Sequence, residues 1–366
     1  MQTFFRPLLI SQRLPFILRS IKLKPIKLWM RVLQILSCNR IIPFISVAIV
    51  FSFLASCLLF VMDENELQLS VFFSMVFISV SDLMYQWINQ RENVCTLLTE
   101  CRVISRKIEV FCNEDQLRRM RRLTYVLRGA VLVVAVDAVA VISLYNLYLL
   151  QHGLVIVAPF LADNTVYTIV MYFLQSSVLT AAPCIYYTFY TFYFELCVYY
   201  ATLFRMLGEH IRVSQTQENL NAIIGLHQSL LESSRTLEKL FSHLWADLMC
   251  YLTAMEIWIS YQLLIESFEV FYIFLLVTIL IFVYMPCALS ELLSITCLSV
   301  GEQAYENAWP TLPIGLRKDL SFVILRSRKS TRVTAGLFGP LDLAKFQGFL
   351  KNWYTMVQAL HNLMPV

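Results

Sequence analysis

Charged residues are scarce in this chain: Asp, Glu, Lys and Arg make up 15% of it, against roughly a quarter in a soluble globular domain. Acids are missing altogether from the first forty positions, which carry Arg6, Arg13, Arg19, Lys22, Lys24, Lys27, Arg31 and Arg40. That segment also lacks an apolar core followed by a small-residue cleavage site, and Pro7, Pro15 and Pro25 interrupt it, so it does not resemble a signal peptide. No Ser-, Gly- or Pro-rich linker divides the chain after Ile41, which excludes a string of soluble domains. His210, His227 and His243 lack metal-ligand spacing, and there is no nucleophile elbow, phosphate loop or HExxH motif. No enzyme, cofactor, metal site or nucleic-acid partner is expected.

What is present is apolar. At 58% hydrophobic and 14% aromatic residues, with a mean hydropathy of +0.65, the chain falls outside the soluble range and reads as one polytopic, all-α membrane bundle. By the positive-inside rule the basic N-terminal segment, 1–40, is cytoplasmic. A basic, aromatic arm of this kind also suits the lipid of the anionic inner leaflet.

Ile41 to Val61 is the first span, without a charge, and the loop after it holds Asp63, Glu64 and Glu66 but no Lys or Arg. Val71 to Ile88 returns inward to a segment rich in arginine, from Arg91 to Arg122. Gly129 to Leu150 is the third span, and its outer loop again lacks Lys and Arg. The fourth apolar run, from Tyr167 to about Leu207, covers roughly 60 Å of helix, about twice what a membrane needs. It therefore projects into the cytoplasm, where Phe189, Phe192, Phe194, Tyr199 and Tyr200 require a protein cover.

From Asn219 the pattern turns amphipathic: Leu220, Ile223, Ile224, His227, Leu230, Leu231, Ser234, Leu237, Phe241, Leu244, Trp245 and Leu248 recur at three and four. This cytoplasmic helix runs into the fifth span, an acidic turn follows at Glu266 to Glu269, and the sixth span runs from Val270 to about Leu298. Residues 301–340 are basic and cytoplasmic, and the last helix carries the C-terminus out.

Of the 29 Lys and Arg residues, all but Lys345 and Lys351 fall on the assigned cytoplasmic side. Seven spans with the N-terminus inside place the C-terminus outside, the reverse of a G-protein-coupled receptor. None of the ten cysteines lies in a predicted outer loop, and no glycosylation sequon does; Asn164 is followed by Thr165 and Val166 and fails the pattern. Internal repeats with broken helices, the mark of a transporter, are absent.

The closing stretch, Leu341 to Leu363, is two-faced at about 100° per residue. Lys345, Gln347, Gly348, Lys351, Asn352, Thr355, Gln358, Ala359 and Asn362 share one arc, with Phe346, Phe349, Leu350, Trp353, Met356, Val357, Leu360 and the following Met364 opposite. Its length is roughly 34 Å, enough to cross a bilayer, yet a half-polar helix does not face lipid. Two uses remain open on the wheel alone: a pore lined by copies of this helix, or a buried polar seam within one bundle.

The segment Leu325, Arg326, Ser327, Arg328, then Thr334, Ala335, Gly336, then Leu341, Phe346, Leu350, Lys351 and Tyr354 resembles the closing motif of insect odorant receptors. Gly301 to Trp309, and the run Ile223, Ile224, His227, Leu230, Leu231, Leu237, Phe241, Ser242, are also similar to that family. The resemblance implies an odorant-binding tuning subunit of a ligand-gated, non-selective cation channel. It would form a heterotetramer with a common olfactory co-receptor in the plasma membrane of olfactory sensory neurons, and a small volatile odorant would open it. It further implies a cytoplasmic anchor, a last helix split into a cytoplasmic and a pore-lining part, and an odorant pocket among the outer halves of spans two to six. The co-receptor carries a long insertion between spans four and five, whereas Gly208 to Asn219 is short, as in a tuning subunit. The sister gustatory channels, the alternative reading, have a Tyr-led motif with Gln-Phe where this chain has Tyr354, Gln358 and Ala359.

The organisation expected is therefore 1–40 cytoplasmic segment; 41–207 transmembrane helices one to four with the pocket; 208–250 anchor helix; 251–300 transmembrane helices five and six; 301–340 cytoplasmic loop and first part of helix seven; and 341–366 pore-lining helix and extracellular C-terminus. For the pore the candidates are Thr355, Gln358, Ala359, Asn362 and Leu363, whose amides and hydroxyl suit hydrated cations while a leucine ring gates by dewetting. The family's constriction maps onto Ala359 and Leu363. For the pocket they are Phe72, Phe73, Met75, Val76, Ser143, Tyr145, Asn146, Met171, Leu174 and Gln175, apolar and aromatic with a few hydrogen-bonding groups; aromatics in membrane helices are more often only core. Asp137, an acid at membrane depth, is a functional candidate without an outer Lys or Arg to pair it.

Overall fold

The computed structural model describes residues 78–87, 89–109, 165–214, 216–265, 270–307, 312–329 and 331–363, with isolated positions at 75 and between 118 and 140. These are helical apart from short connections, with no strand among the described residues. The helices are α1 (Arg91–Glu109), α2 (Thr165–Val213), α3 (Gln217–Ile265), α4 (Val270–Glu306), α5 (Ile314–Ser327) and α6 (Leu343–Leu363). A helical stretch at 78–87 precedes α1.

Two expectations about length hold. The fourth apolar run is a single helix of 49 residues, and the amphipathic stretch and the fifth span are likewise one helix of 49. At about 1.5 Å per residue each is roughly 73 Å long. The connection between them is shorter than the sequence spacing implied, because α2 ends at Val213 and α3 begins at Gln217. Asn307 Nδ2 holds that corner by donating to Ser214 O at 2.9 Å and to Ile211 O at 2.5 Å, supplying partners to carbonyls a helix end leaves bare. The sixth span extends as helix to Glu306, beyond its expected end near Leu298. Among the described residues, the α3 helix and Tyr272–Glu306 are long and apolar enough to cross a membrane.

The aromatic residues that needed a cover have one. Phe189, Phe192, Phe194, Tyr199 and Tyr200 are all buried. Trp87, Phe189, Tyr193, Phe241 and Trp245 form a tilted and edge-on cluster with ring centroids between 4.8 and 6.4 Å apart, and each such pair contributes about 0.5–1.5 kcal/mol beyond the area it buries. On α3 the predicted apolar stripe faces inward: all twelve positions are buried except Ile224, which is half-covered.

Proline inside α4 is accommodated by a tyrosine on α2. Pro286 has no N–H, so the carbonyl of Phe282, one turn earlier, loses its helical partner. Tyr190 Oη donates to that oxygen at 2.9 Å, and Tyr193 Oη reaches Pro286 O at 3.5 Å. The pairing fastens α2 to α4 where a buried carbonyl would otherwise be orphaned.

Candidate functional site

The position of the closing helix is set by the nine residues before it. Val333 to Leu341 folds back on itself, with Leu341 N bonded to Val333 O at 2.9 Å and Ala335 N to Gly339 O at 2.8 Å around a 3-10 turn at Gly336–Phe338. Gly336 adopts φ +50°, and a Cβ there would lie 2.9 Å from Ala246 Cβ on α3. Both the left-handed backbone and the close approach require glycine. Serines clasp this loop from two sides. Ser290 of α4 accepts from Val333 N at 3.0 Å, while Ser242 of α3 accepts from Gly336 N at 3.2 Å and meets Thr334 Oγ1 at 2.8 Å.

Asp342 then starts α6. Its Oδ1 accepts from Lys345 N at 2.8 Å, an N-cap bond, and its Oδ2 pairs with Arg332 at 3.4 Å. From this anchored start the helix leans on α4 through Phe346, whose ring lies 5.2 Å from Tyr284. Two turns on, it meets α3, where Trp353 Nε1 donates to Ser260 Oγ at 2.8 Å.

No residue of α6 is fully buried. Phe346, Phe349, Leu350, Trp353, Met356, Val357 and Leu360 are half-covered and turn toward the protein's own bundle. Thr355, Gln358, Ala359, Asn362 and Leu363 are exposed together on the other side, as are Lys345, Gln347, Lys351 and Asn352. The two arcs of the wheel are thus the two sides of the helix in the fold. Lys345 holds its ammonium 5.7 Å from the Phe338 ring centre, at the foot of the helix.

The pocket candidates fare differently. Met75 is half-buried on a helical position. Phe72, Phe73, Val76, Ser143, Tyr145 and Asn146 lie outside the described residues, as does Asp137. Met171, Leu174 and Gln175 belong to α2, but their side chains lie outside the described part. The five pore candidates thus share one exposed side of α6, and Met75 is the one pocket candidate whose side chain falls among the described residues.

Sequence reasoning overlooked Glu256. It is the one charged residue between Asp247 and Glu266, and it sits on α3 at 2% exposure with Oε1 unpartnered among the described residues. Its main-chain oxygen accepts from Ser260 Oγ at 2.7 Å, so it lies one turn from the Trp353 contact. The rule that singled out Asp137, an acid at membrane depth, finds Glu256 as well. Outside the predicted spans, burial lowers the pKa of His227 to about 4 and raises that of Cys101 to about 12. The histidine is accordingly a neutral core residue, 3.4 Å from Ser327 Oγ. Among the described residues no group of His, Cys, Asp and Glu could hold a metal ion.

Known proteins resemble this arrangement. The family described as 7tm Odorant receptor matches residues 96–354. Odorant receptor 67c of Drosophila melanogaster is 25% identical over 168 residues, 44% of this chain and 41% of that protein, so the match spans under half of the relative's length. The solved insect olfactory receptor OR5 of Machilis hrabei superposes with a TM-score of 0.76 at 12% identity, over 89% of this chain and 88% of that one. The structure of the same receptor in complex with eugenol gives 0.71 at 12% identity, over 94% and 100%. At such identity the superposition speaks for the fold, and the family match speaks for descent. The chain belongs to the insect odorant receptor family, and is a membrane-embedded receptor rather than an enzyme.

Proposed function

We propose that the chain is the odorant-binding tuning subunit of a ligand-gated, non-selective cation channel assembled as a heterotetramer with the common olfactory co-receptor. The single observation behind this reading is the outward side of α6, where Thr355, Gln358, Ala359, Asn362 and Leu363 stand exposed while Phe346, Phe349, Leu350, Trp353, Met356, Val357 and Leu360 are half-covered. A helix with this division needs water or further copies of itself on its open side. Four such helices around an axis enclose a wet column, with Ala359 and Leu363 at its constriction and Lys345 and Lys351 deeper, where the conduit widens.

On this reading the N-terminus is cytoplasmic and the C-terminus extracellular, and residues 1–40 precede the first span. Residues 208–250 form the anchor, 251–300 the fifth and sixth spans, 301–340 the cytoplasmic loop with the first part of the last helix, and 341–366 the pore-lining part. The short link at residues 214–216 suits a tuning subunit. A small volatile odorant occupies the outer bundle of 41–207 among Phe72, Phe73, Met75, Val76, Ser143, Tyr145, Asn146, Met171, Leu174 and Gln175. Eugenol in the Machilis receptor is a ligand of this size class. Few ligand atoms mean modest affinity, so shape does most of the discriminating.

The test is current recording in a heterologous cell across an odorant panel, with and without the co-receptor. Odorant-evoked inward current that needs the co-receptor, and needs neither nucleotide nor G protein, is the expected result. An odorant response blocked by G-protein inhibition, or an N-terminal epitope labelled in intact cells, overturns the reading.

A further inference from the structure

Between α3 and α5 the fold leaves a groove of about 700 Å³ that the packing of the two helices does not close. This volume lies within the range of small-molecule sites, about 300–1,000 Å³. Its charge is lopsided. Arg235 enters from α3, Arg326 and Lys329 enter from the α5 side, and Glu232 is the one acid on the lining. Arg235 lies four residues after Leu231 on the face of α3 that lines the groove. Lys329 lies just past the end of α5, in a turn where its N–H donates to Arg326 O at 3.3 Å, and lines the same groove as Arg326. Among the described residues none of the three is in an ion pair, although Glu232 lies only three residues from Arg235 on the same helix.

Three unneutralised cations around one partly enclosed space repel one another, and a helix pair that served packing alone would bring the acid against a base. His227 on the floor is 1% exposed, and burial keeps it neutral, so it adds no charge of its own. Phe322, 67% exposed on the rim, offers an aromatic face beside the basic groups.

We infer that this groove binds a soluble, multiply phosphorylated anion, with its phosphates on Arg235, Arg326 and Lys329. Arginine forks and a lysine point charge are the side chains that hold phosphate by charge-assisted hydrogen bonds. A phosphoinositide headgroup offers the same chemistry, but distance sets it aside. Leu231 lies twenty residues before Tyr251 on continuous helix, about 30 Å from where α3 enters the membrane. This step rests on the proposed placement of the fifth span.

The experiment uses the full-length receptor with its co-receptor in phosphatidylcholine nanodiscs, titrated with inositol hexakisphosphate and, separately, with ATP. A parallel preparation carries phosphatidylinositol bisphosphate in the bilayer and no soluble anion. Saturable binding of at least one soluble probe is expected, weakened tenfold or more by Arg326→Gln with Lys329→Gln and tightened several-fold by Glu232→Gln. The second variant removes the groove's acid without removing a ligand contact, so it keeps the test alive if the double variant fails to fold. No saturable binding, equal binding in all variants, or binding of the lipid alone overturns the inference. A neighbouring subunit filling the groove in the assembled channel gives the first of these outcomes. Odorant-evoked current recorded from the same variants separates the two claims: current without anion binding refutes the groove, and its absence from the wild type refutes the channel.

Discussion

Removing one oxygen from Tyr190 isolates the cost of the proline in α4. Tyr190→Phe keeps a ring of the same shape against Phe282 and Trp245, whose centroids lie 4.4 and 5.1 Å away, and deletes only the donor to Phe282 O at 2.9 Å. Tyr190 is 8% exposed, so water does not readily replace the hydroxyl. An interior acceptor left without a partner costs about 1–3 kcal/mol. In a chain of this size that lowers the apparent melting midpoint by about 2–5 °C. The second perturbation, Pro286→Ala, restores an N–H one turn after Phe282, and the helix then satisfies the same carbonyl internally. In that background Tyr190→Phe is expected to cost under about 1 kcal/mol, giving a coupling of about 1 kcal/mol or more between the two sites. Thermal challenge of the fluorescently tagged full-length receptor, read as the surviving monodisperse peak on size exclusion, supplies all four corners of the cycle. Equal costs of Tyr190→Phe in the two backgrounds refute the argument that the tyrosine answers the proline.

Trp353→Phe removes the donor to Ser260 and loosens α6 from α3 by about 0.5–1.5 kcal/mol; in a Ser260→Ala background the effect should vanish in the same thermal assay, and additive losses contradict the contact. Gly336→Ala combines a left-handed backbone, which costs about 1–2 kcal/mol per non-glycine residue, with a 2.9 Å approach to Ala246 Cβ. Ala246→Gly relieves only the second part, so partial rescue of expression is expected and complete rescue is not. His227 binds its proton near pH 4 in the fold and near 6.5 when unfolded. The unfolded chain therefore holds more protons between those values, and stability falls as pH drops through that window by up to about 3 kcal/mol; His227→Gln should flatten the melting midpoint between pH 7 and pH 5. Cysteines at positions 355 and 362 should react with thiol reagents applied from outside and alter the current, whereas one at position 353 should react slowly. Unreactive cysteines at 355 and 362 in a channel that conducts normally remove the closing helix from the conduit.

Where a single helix carries its own instructions, the sequence was sufficient. Three- and four-residue spacing put Leu220 through Leu248 on one side of α3, and the same periodicity divided α6 into an exposed side and a half-covered side, because each pattern is a property of 3.6 residues per turn. Length against bilayer thickness likewise implied a fourth apolar run longer than one membrane span, and α2 is a helix of 49 residues. The tertiary structure decided everything that depends on residues far apart in the chain. Tyr190 meets the carbonyl freed by Pro286 across 92 positions, Ser242 and Ser290 grip the Val333–Leu341 loop from two different helices, and Trp353 finds Ser260 across 93. Glu256 is hidden and Arg235 lines one groove with Lys329 for the same reason: neighbours are chosen by the packing of whole helices, which local periodicity does not encode.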